Sequence, residues 1–261
     1  MTTNDVAKAL RALHQPGNAV LLTNVYDAAT ASAIASLPTA QAIATASYAI
    51  AASIGIDDNA LTKTQNLTAI AAIASAVRAI NPLKPLTADL QDGYGDTAEL
   101  ADTVRQVIAL GVVGCNIEDT DAMGSLRSLD EAVERVRTVV RTAAEAGVPD
   151  FVVNARTDVL AGGTVDQAID RGKAFLGAGA CTVFVWGPGG RGVSQQEVVS
   201  LVAALNGRVN VKMNLGEGFL GVQEIRQLGV ARISVGPELW KLAMKAFTEK
   251  AESLLAFLVR R

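Results

Sequence analysis

Eight short apolar runs, separated by longer segments of helical periodicity, recur along the whole chain. They are Ala19–Thr23, Ala42–Ala46, Pro85–Ala88, Val112–Ile117, Phe151–Asn154, Thr182–Trp186, Asn210–Met213 and Arg232–Val235. Between them, Ala98–Leu110, Leu129–Ala146 and Ser194–Leu205 repeat apolar residues at helical spacing. Asp96 or Thr97, Ser128, Thr164 and Ser194 are placed to cap helix starts, and Gly111, Gly147, Gly179, Gly207 and Gly229 to end helices just before the next strand. Continuously apolar strands separated by helices form a parallel sheet covered on the outside. Eight such units without a Pro/Ser-rich linker predict an α/β fold, one (β/α)8 TIM barrel spanning residues 1–261. The length agrees, since such barrels need roughly 250 residues.

A barrel of this kind builds its active site at the C-terminal ends of its strands. The residues leaving the strands are Asn24 and Asp27, Ser47 and Tyr48, Asp89 and Gln91, Glu118 and Asp119, Arg156 and Asp158, Gly187, Asn214, and Gly236. Polar exits alone mean little. Here three separate strands exit directly onto an acid or an arginine, while the strand interiors read as apolar.

Composition narrows the chemistry. The chain has one histidine, His14, at the end of a polar N-terminal helix, where a surface position is expected. His-ligated metal sites and His-dependent nucleophiles therefore lack raw material. A net charge of −3 with no run of either sign argues against a nucleic-acid footprint. The N-terminus, MTTNDVAKALRALHQ, lacks an apolar signal-peptide region, and no apolar stretch reaches the roughly 18 residues of a membrane span. Cys115 and Cys181 lie inside apolar runs and read as buried thiols, so a reducing compartment, the cytoplasm first, is expected.

Two stretches carry the candidate chemistry. In TADLQDGYG, Asp89 ends the third strand, followed by Gln91, Asp92 and a flexible Gly93-Tyr94-Gly95 turn. In GVVGCNIEDTD, Glu118 and Asp119 end the fourth. Carboxylates on neighbouring strands can converge on a hard divalent cation such as Mg²⁺; they can equally serve as caps and ion-pair partners. GPGGRG (187–192) formally matches a dinucleotide fingerprint, but Pro188 and the absence of an acid after the next strand favour an active-site loop. LGEGF (215–219) reads as an ordinary turn, because Glu217 would repel a phosphate. The last helix places Leu239, Leu242, Ala243, Ala246 and Phe247 on one stripe, by default a core-packing face.

Taken in order, one per strand, the pieces NVYDAATA, IATASYAIAASIGIDD, LTADLQDGYG, VGCNIEDT, VVNARTDVL and GVARISVGPELW resemble the isocitrate lyase/phosphoenolpyruvate mutase superfamily from Leu22 to about Leu242. The resemblance implies a Mg²⁺-dependent enzyme that makes or breaks a C–C or C–P bond in a small α-oxo or α-hydroxy carboxylate. It places Asp89 at the metal, with Glu118 and Asp58 around its water shell and Gln91 where relatives commonly carry a second acid. It makes Arg156 the grip on the substrate carboxylate, helped by backbone amides near Ser47 and Tyr48. Arg156, Tyr48 and Asp58 are thus the catalytic candidates, and Ser47, Tyr48, Arg156 and Asn214 the substrate-binding ones. Asp89, Glu118 and Gln91 are the metal candidates. The resemblance also implies a homodimer or homotetramer that exchanges its last helix between subunits.

Departures from the pattern count as well. Ala46 stands where a serine is common, and Gln91 removes a charge near the metal. The stretch TDAMGSLRS has no Cys, His or Lys where isocitrate and methylisocitrate lyases carry a gating cysteine, which argues against those two activities. Trp186-Gly187 replaces the histidine of the mutases. Carbon–carbon cleavage is the leading expectation; phosphonate chemistry and a catalytically weakened, ligand-binding barrel are the alternatives.

Overall fold

The computed structural model describes residues 1–187 and 191–259, with side chains through Ala256. In chain order the elements are α1 (Thr3–Ala12), β1 (Val20–Val25), α2 (Ala28–Ala35), β2 (Ile43–Thr45), α3 (Ser47–Ser53), α4 (Lys63–Ile80), β3 (Leu86–Asp89), α5 (Thr97–Ala109) and β4 (Gly114–Glu118). They continue with α6 (Leu129–Glu145), β5 (Val152–Thr157), α7 (Val165–Gly177), β6 (Thr182–Val185), α8 (Gln195–Ala204), β7 (Val209–Lys212), α9 (Val222–Gln227), β8 (Arg232–Ser234) and α10 (Glu238–Val259). The eight strands pair in parallel in sequence order and close, β8 returning to β1.

All eight expected strands form, and most boundaries move by only a residue or two. The exception is β5, which runs on to Thr157 because its ladder with β6 continues through Arg156↔Phe184 and Thr157↔Val185. Arg156 is therefore held by a strand rather than by a loop. Ser128, Thr164 and Ser194 close capping boxes, and Asp96 accepts from the amides of Ala98 and Glu99. Gly111 and Gly179 adopt φ of +88° and +105° between helix and strand, a region that costs other residues a Cβ clash.

The barrel interior departs from the expected apolar filling. Inward positions carry a belt of polar side chains, Asn116, Asn154, Thr182, Asn210, Arg232 and Ser234, all buried. Asn154 donates to Asn116 at 2.8 Å, Thr182 donates to Asn154 at 2.7 Å, and Ser234 donates to Asn210 at 3.1 Å. Arg232 spans the lumen, donating to Ser234 at 3.2 Å and to Asn116 at 3.1 Å. Burial pulls its guanidinium down to about 10, so it keeps its charge at neutral pH. The outward residues of the same strands, such as Ile233 and Val183, are the apolar ones that meet the helices.

His14 is not the surface residue expected. It is half-buried just past α1, with Nδ1 2.8 Å from the Leu10 carbonyl, and burial together with Arg232 pushes its imidazole down to about 3. Nor is α10 a core-packing helix along its length. Leu239 and Trp240 pack on the barrel, but Leu242, Phe247, Leu254 and Leu255 are 55–71% exposed.

Candidate active site

A cavity of about 510 Å³ opens at the C-terminal ends of the strands. Its walls carry Asp58, Asp89, Asn116, Arg156, Phe184, Trp186, Lys212, Asn214 and Glu238, drawn from β3 to β7 and from the segments that follow β2, β6, β7 and β8.

Asp89 sits at the end of β3. Its Oδ2 accepts from the Ser47 amide and the Ser47 hydroxyl, both at 3.2 Å, at the start of α3. Its Oδ1 is buried with no protein donor. An ionised carboxylate oxygen left in that state is costly unless something positive reaches it. Asp58 lies close by, and its carboxyl is pushed up by burial and by the Asp89 charge. Glu118, at the end of β4, is pushed up by burial with Asp89, Asp158 and Asp58 around it, against the pull of Arg156.

Arg156 binds this acidic wall together. Its Nε and Nη2 meet both oxygens of Asp158 at 2.6 and 2.8 Å, and its Nη1 meets Glu118 at 2.5 Å. The guanidinium carbon lies 5.6 Å from the Phe184 ring centre and 5.2 Å from that of Trp186. A guanidinium has five N–H donors; three are engaged here, so its side-on bidentate face belongs to Asp158 and two donors remain for a ligand. Asp158 is itself positioned from behind. Its amide donates at 3.0 Å to Asp119, and Asp119 pairs at 2.7 Å with Arg171 of α7.

The remaining candidates fall in three places. Ser47 is buried and hydrogen-bonds to Asp89 through both of its donors, rather than presenting an open amide. Tyr48 stands at the rim, 43% exposed and edge-on to Trp240 at 6.1 Å. Gln91 does not line the cavity: its Nε2 donates to the Asp58 carbonyl at 2.8 Å and to the Asp58 carboxyl at 2.9 Å, while its own carbonyl accepts the Glu118 amide at 2.9 Å. Gln91 is a clip between two acids, and its φ of +50° is part of that turn. Asn214 lines the cavity and accepts a hydrogen bond from Lys212.

Loops differ from expectation too. The turn at Gly93 is pinned rather than flexible, because Arg135 donates to the carbonyls of Asp92 and Gly95, and a Cβ at Gly93 would lie 2.5 Å from Leu100. Tyr94 is held by Asn66 at 2.6 Å. The LGEGF turn contributes Gly216 and Phe219 to the cavity wall. The segment after β4 folds back on itself through a Thr120↔Leu126 bridge and Asp121-centred turns. Pro188, Gly189 and Gly190 of the glycine-rich match lie outside the described residues.

Lys212, Glu238 and Lys241 were not singled out from the sequence. Lys212 lies inside a run scored as apolar, and the α10 residues enter the site only because β8 ends beneath it. Among the described residues no group of three or more His, Cys, Asp or Glu side chains is gathered closely enough to hold a metal ion. A site centred on Asp89 is thus limited to few protein ligands, as Mg²⁺ accepts, since it retains several waters.

Comparison with known proteins agrees with this architecture. The chain is 38% identical over 111 residues to 2-methylisocitrate lyase of Escherichia coli, a match covering 38% of this chain and 36% of that one. Matches to the first curated relatives span between 36% and 65% of their lengths. A solved chain from Burkholderia cenocepacia J2315 superposes with a TM-score of 0.86 at 32% identity, covering 97% of this chain and 99% of that one. The structure of oxaloacetate acetylhydrolase in complex with oxalate gives 0.84 at 26% identity, covering 95% and 86%. A sequence model of the phosphoenolpyruvate phosphomutase family matches residues 10–255, and the chain belongs to that family.

Proposed function

We propose that the protein is a Mg²⁺-dependent lyase or hydrolase that cleaves a C–C bond in a small 2-oxo or 2-hydroxy carboxylate. The observation that carries this reading is the buried, unpartnered Oδ1 of Asp89, set among Asp58, Glu118 and Asp158 and facing a cavity that Arg156 also lines. That wall holds more negative charge than one arginine balances, and all its donors are hard oxygens. Both features suit Mg²⁺ at Asp89, with Glu118 and Asp58 accepting from its waters. When bound, the cation would supply Lewis-acid stabilisation of the enolate charge left by bond cleavage.

The chain's own groups do the rest. The two N–H groups of Arg156 not engaged with Asp158 or Glu118 donate to the substrate carboxylate, while Phe184 and Trp186 hold the guanidinium flat. Asp58, its affinity for protons raised by burial and by Asp89, takes the proton from the reacting oxygen. Tyr48 stands at the cavity rim, braced edge-on by Trp240. Relatives named for C–C cleavage, the 2-methylisocitrate lyase and oxaloacetate acetylhydrolase above, support the reaction class.

The working unit in this reading is a homodimer or homotetramer. The outward residues of β1, Leu21 and Thr23, are only half-buried, and a gap of about 430 Å³ lined by Leu13, Leu21, Thr23, Leu37 and Val222 lies where an eighth covering helix belongs. The apolar, largely exposed α10 of a second copy fits that gap. Among the described residues no helix is long and apolar enough to cross a membrane. The two free, buried thiols, Cys115 and Cys181, suit a reducing cytoplasm.

A panel of 2-oxo and 2-hydroxy acids, assayed with Mg²⁺ and with chelator, tests the activity. Metal-dependent release of a shorter oxo acid or of oxalate, lost in Asp89→Ala, is the expected result. No turnover of any member would leave a ligand-binding barrel instead.

A further inference from the structure

Arg232 is an expensive residue for the inside of a barrel. It is fully buried, its Nε and Nη2 reach only the neutral acceptors Ser234 and Asn116, and its Nη1 has no partner. Barrel interiors are ordinarily packed with branched apolar side chains, and replacing a buried charge by an apolar one is often neutral or stabilising. Stability alone does not call for a guanidinium here. The direction of the hydrogen bonds around it does.

Thr182 on β6, Asn154 on β5 and Asn116 on β4 form a chain with no direction of its own. An asparagine carries a carbonyl and an NH₂, and a hydroxyl both donates and accepts, so turning both amides over preserves both internal bonds. A guanidinium only donates. Arg232 Nη2, reaching from β8 to β4 on the far side of the ring, therefore demands the Asn116 carbonyl, at 3.1 Å. The same oxygen takes Asn154 Nδ2 at 2.8 Å, and the Asn154 oxygen takes the Thr182 hydroxyl at 2.7 Å.

With its Oδ1 doubly occupied, Asn116 has its two N–H groups left over. Among the described residues they meet no acceptor, and Asn116 lines the cavity. In the ladders Asn116 pairs with Asp89, while Glu118, the next inward residue of β4, pairs with Arg156. The leftover donor thus lies on the cavity floor beside Asp89, one inward position below Arg156.

We propose that Arg232 is a positioning residue that turns the Asn116 amide so that its N–H groups donate to the 2-oxo or 2-hydroxy oxygen of the bound acid. The assignment rests on the reading of this cavity as a 2-oxo or 2-hydroxy acid site. Arg156 takes the carboxylate, and Asn116 takes the neighbouring oxygen beneath it.

Pyruvate and propionate share a carboxylate and a three-carbon skeleton and differ in the 2-oxygen, so calorimetric titration of each into the full-length protein at saturating Mg²⁺ reads that contact. Asn116→Ala should weaken pyruvate about tenfold, the worth of one hydrogen bond, and leave propionate unchanged. Arg232→Met frees the amide to turn over and should cost pyruvate about threefold. The double variant should bind pyruvate no more weakly than Asn116→Ala, because the arginine acts only through the amide. Arg232→Lys, still a pure donor, should retain pyruvate affinity. Arg232→Gln, which accepts as well as donates, should lose it as the methionine does, and serves if Arg232→Met does not fold. Thr182→Val should bind pyruvate as the parent does, since the direction is set from the arginine end. Equal weakening of propionate, parental pyruvate affinity in Arg232→Met or Arg232→Gln, additive losses in the double variant, or loss in Thr182→Val overturns the proposal. If pyruvate and oxalate bind but these variants do not discriminate, only this proposal falls; if neither binds with Mg²⁺, the proposed carboxylate site falls with it.

Discussion

Asp119→Asn isolates the brace behind the site. The Asp119 and Arg171 side chains are 1% and 10% exposed and meet at 2.7 Å. The asparagine can still accept the Asp158 amide through its carbonyl oxygen, but its –NH₂ then faces Arg171 Nε, donor against donor. Removing one member of a buried pair costs about 3–5 kcal/mol. Arg171 retains the Arg127 carbonyl at 2.8 Å and the face of Phe175 at 6.0 Å, which places the cost at the lower end. A loss of about 3 kcal/mol lowers the Tm of a domain this size by roughly 6–12 °C. Calorimetric unfolding of Asp119→Asn, Arg171→Met and the double variant gives the coupling directly. The double variant should be less destabilised than the two single losses added together, because neither charge is then left buried alone. A Tm within 2 °C of the parent for Asp119→Asn, or strict additivity, would show that the pair does not brace the fold.

Three further outcomes follow from the same geometry. Arg156→Lys should fold but lower kcat/KM by about a hundredfold or more, since an ammonium cannot hold Asp158, Glu118 and a ligand together; near-parental kinetics would remove Arg156 from substrate binding. His14 has its folded pKa depressed from 6.5 to about 3, so its contribution to stability is fully present above pH 6.5 and is lost as pH falls from there towards 3. His14→Asn should therefore flatten the decline of Tm across that window, and an unchanged decline would contradict the buried, neutral assignment. Phe247→Glu, at a position 71% exposed in the single chain, should convert the oligomer to monomers in sedimentation if α10 is exchanged; an unchanged mass would place that helix elsewhere.

How much of this was legible in the sequence depends on which groups act locally. The eight strands were, because their outward faces are apolar, caps open several of the helices between them, and a glycine follows α5, α6, α7, α8 and α9. Asp89, Glu118 and Arg156 were legible because a barrel places its strand exits together whatever the loops do. The polar belt was not. Asn116, Asn154, Asn210 and Arg232 lie within strands, and only closure of the ring lets Arg232 on β8 reach Asn116 on β4. Lys212 escaped notice for the same reason, since its place in the cavity wall is a property of the ring and not of β7 alone. Gln91 read as a diluted metal ligand, but its side chain turns to Asp58, a residue 33 positions away brought to it by the 3₁₀ turn Asp58–Ala60. The pinned turn at Gly93 depends on Arg135 of α6, which local sequence does not connect to it.

The central claim, that the unpartnered oxygen of Asp89 marks a cation-assisted carboxylate site, is tested most directly by thermal unfolding with Mg²⁺, with oxalate, and with both. A ligand at about a hundred times its dissociation constant contributes about 2.7 kcal/mol, and each kcal/mol raises the Tm by roughly 2–4 °C. Mg²⁺ and oxalate together should therefore raise the Tm by roughly 5–11 °C, well beyond the sum of their separate effects, and Asp89→Ala should abolish that joint shift. No stabilisation of the parent protein by Mg²⁺ or any other divalent metal, with oxalate or any small oxo acid, would contradict the account.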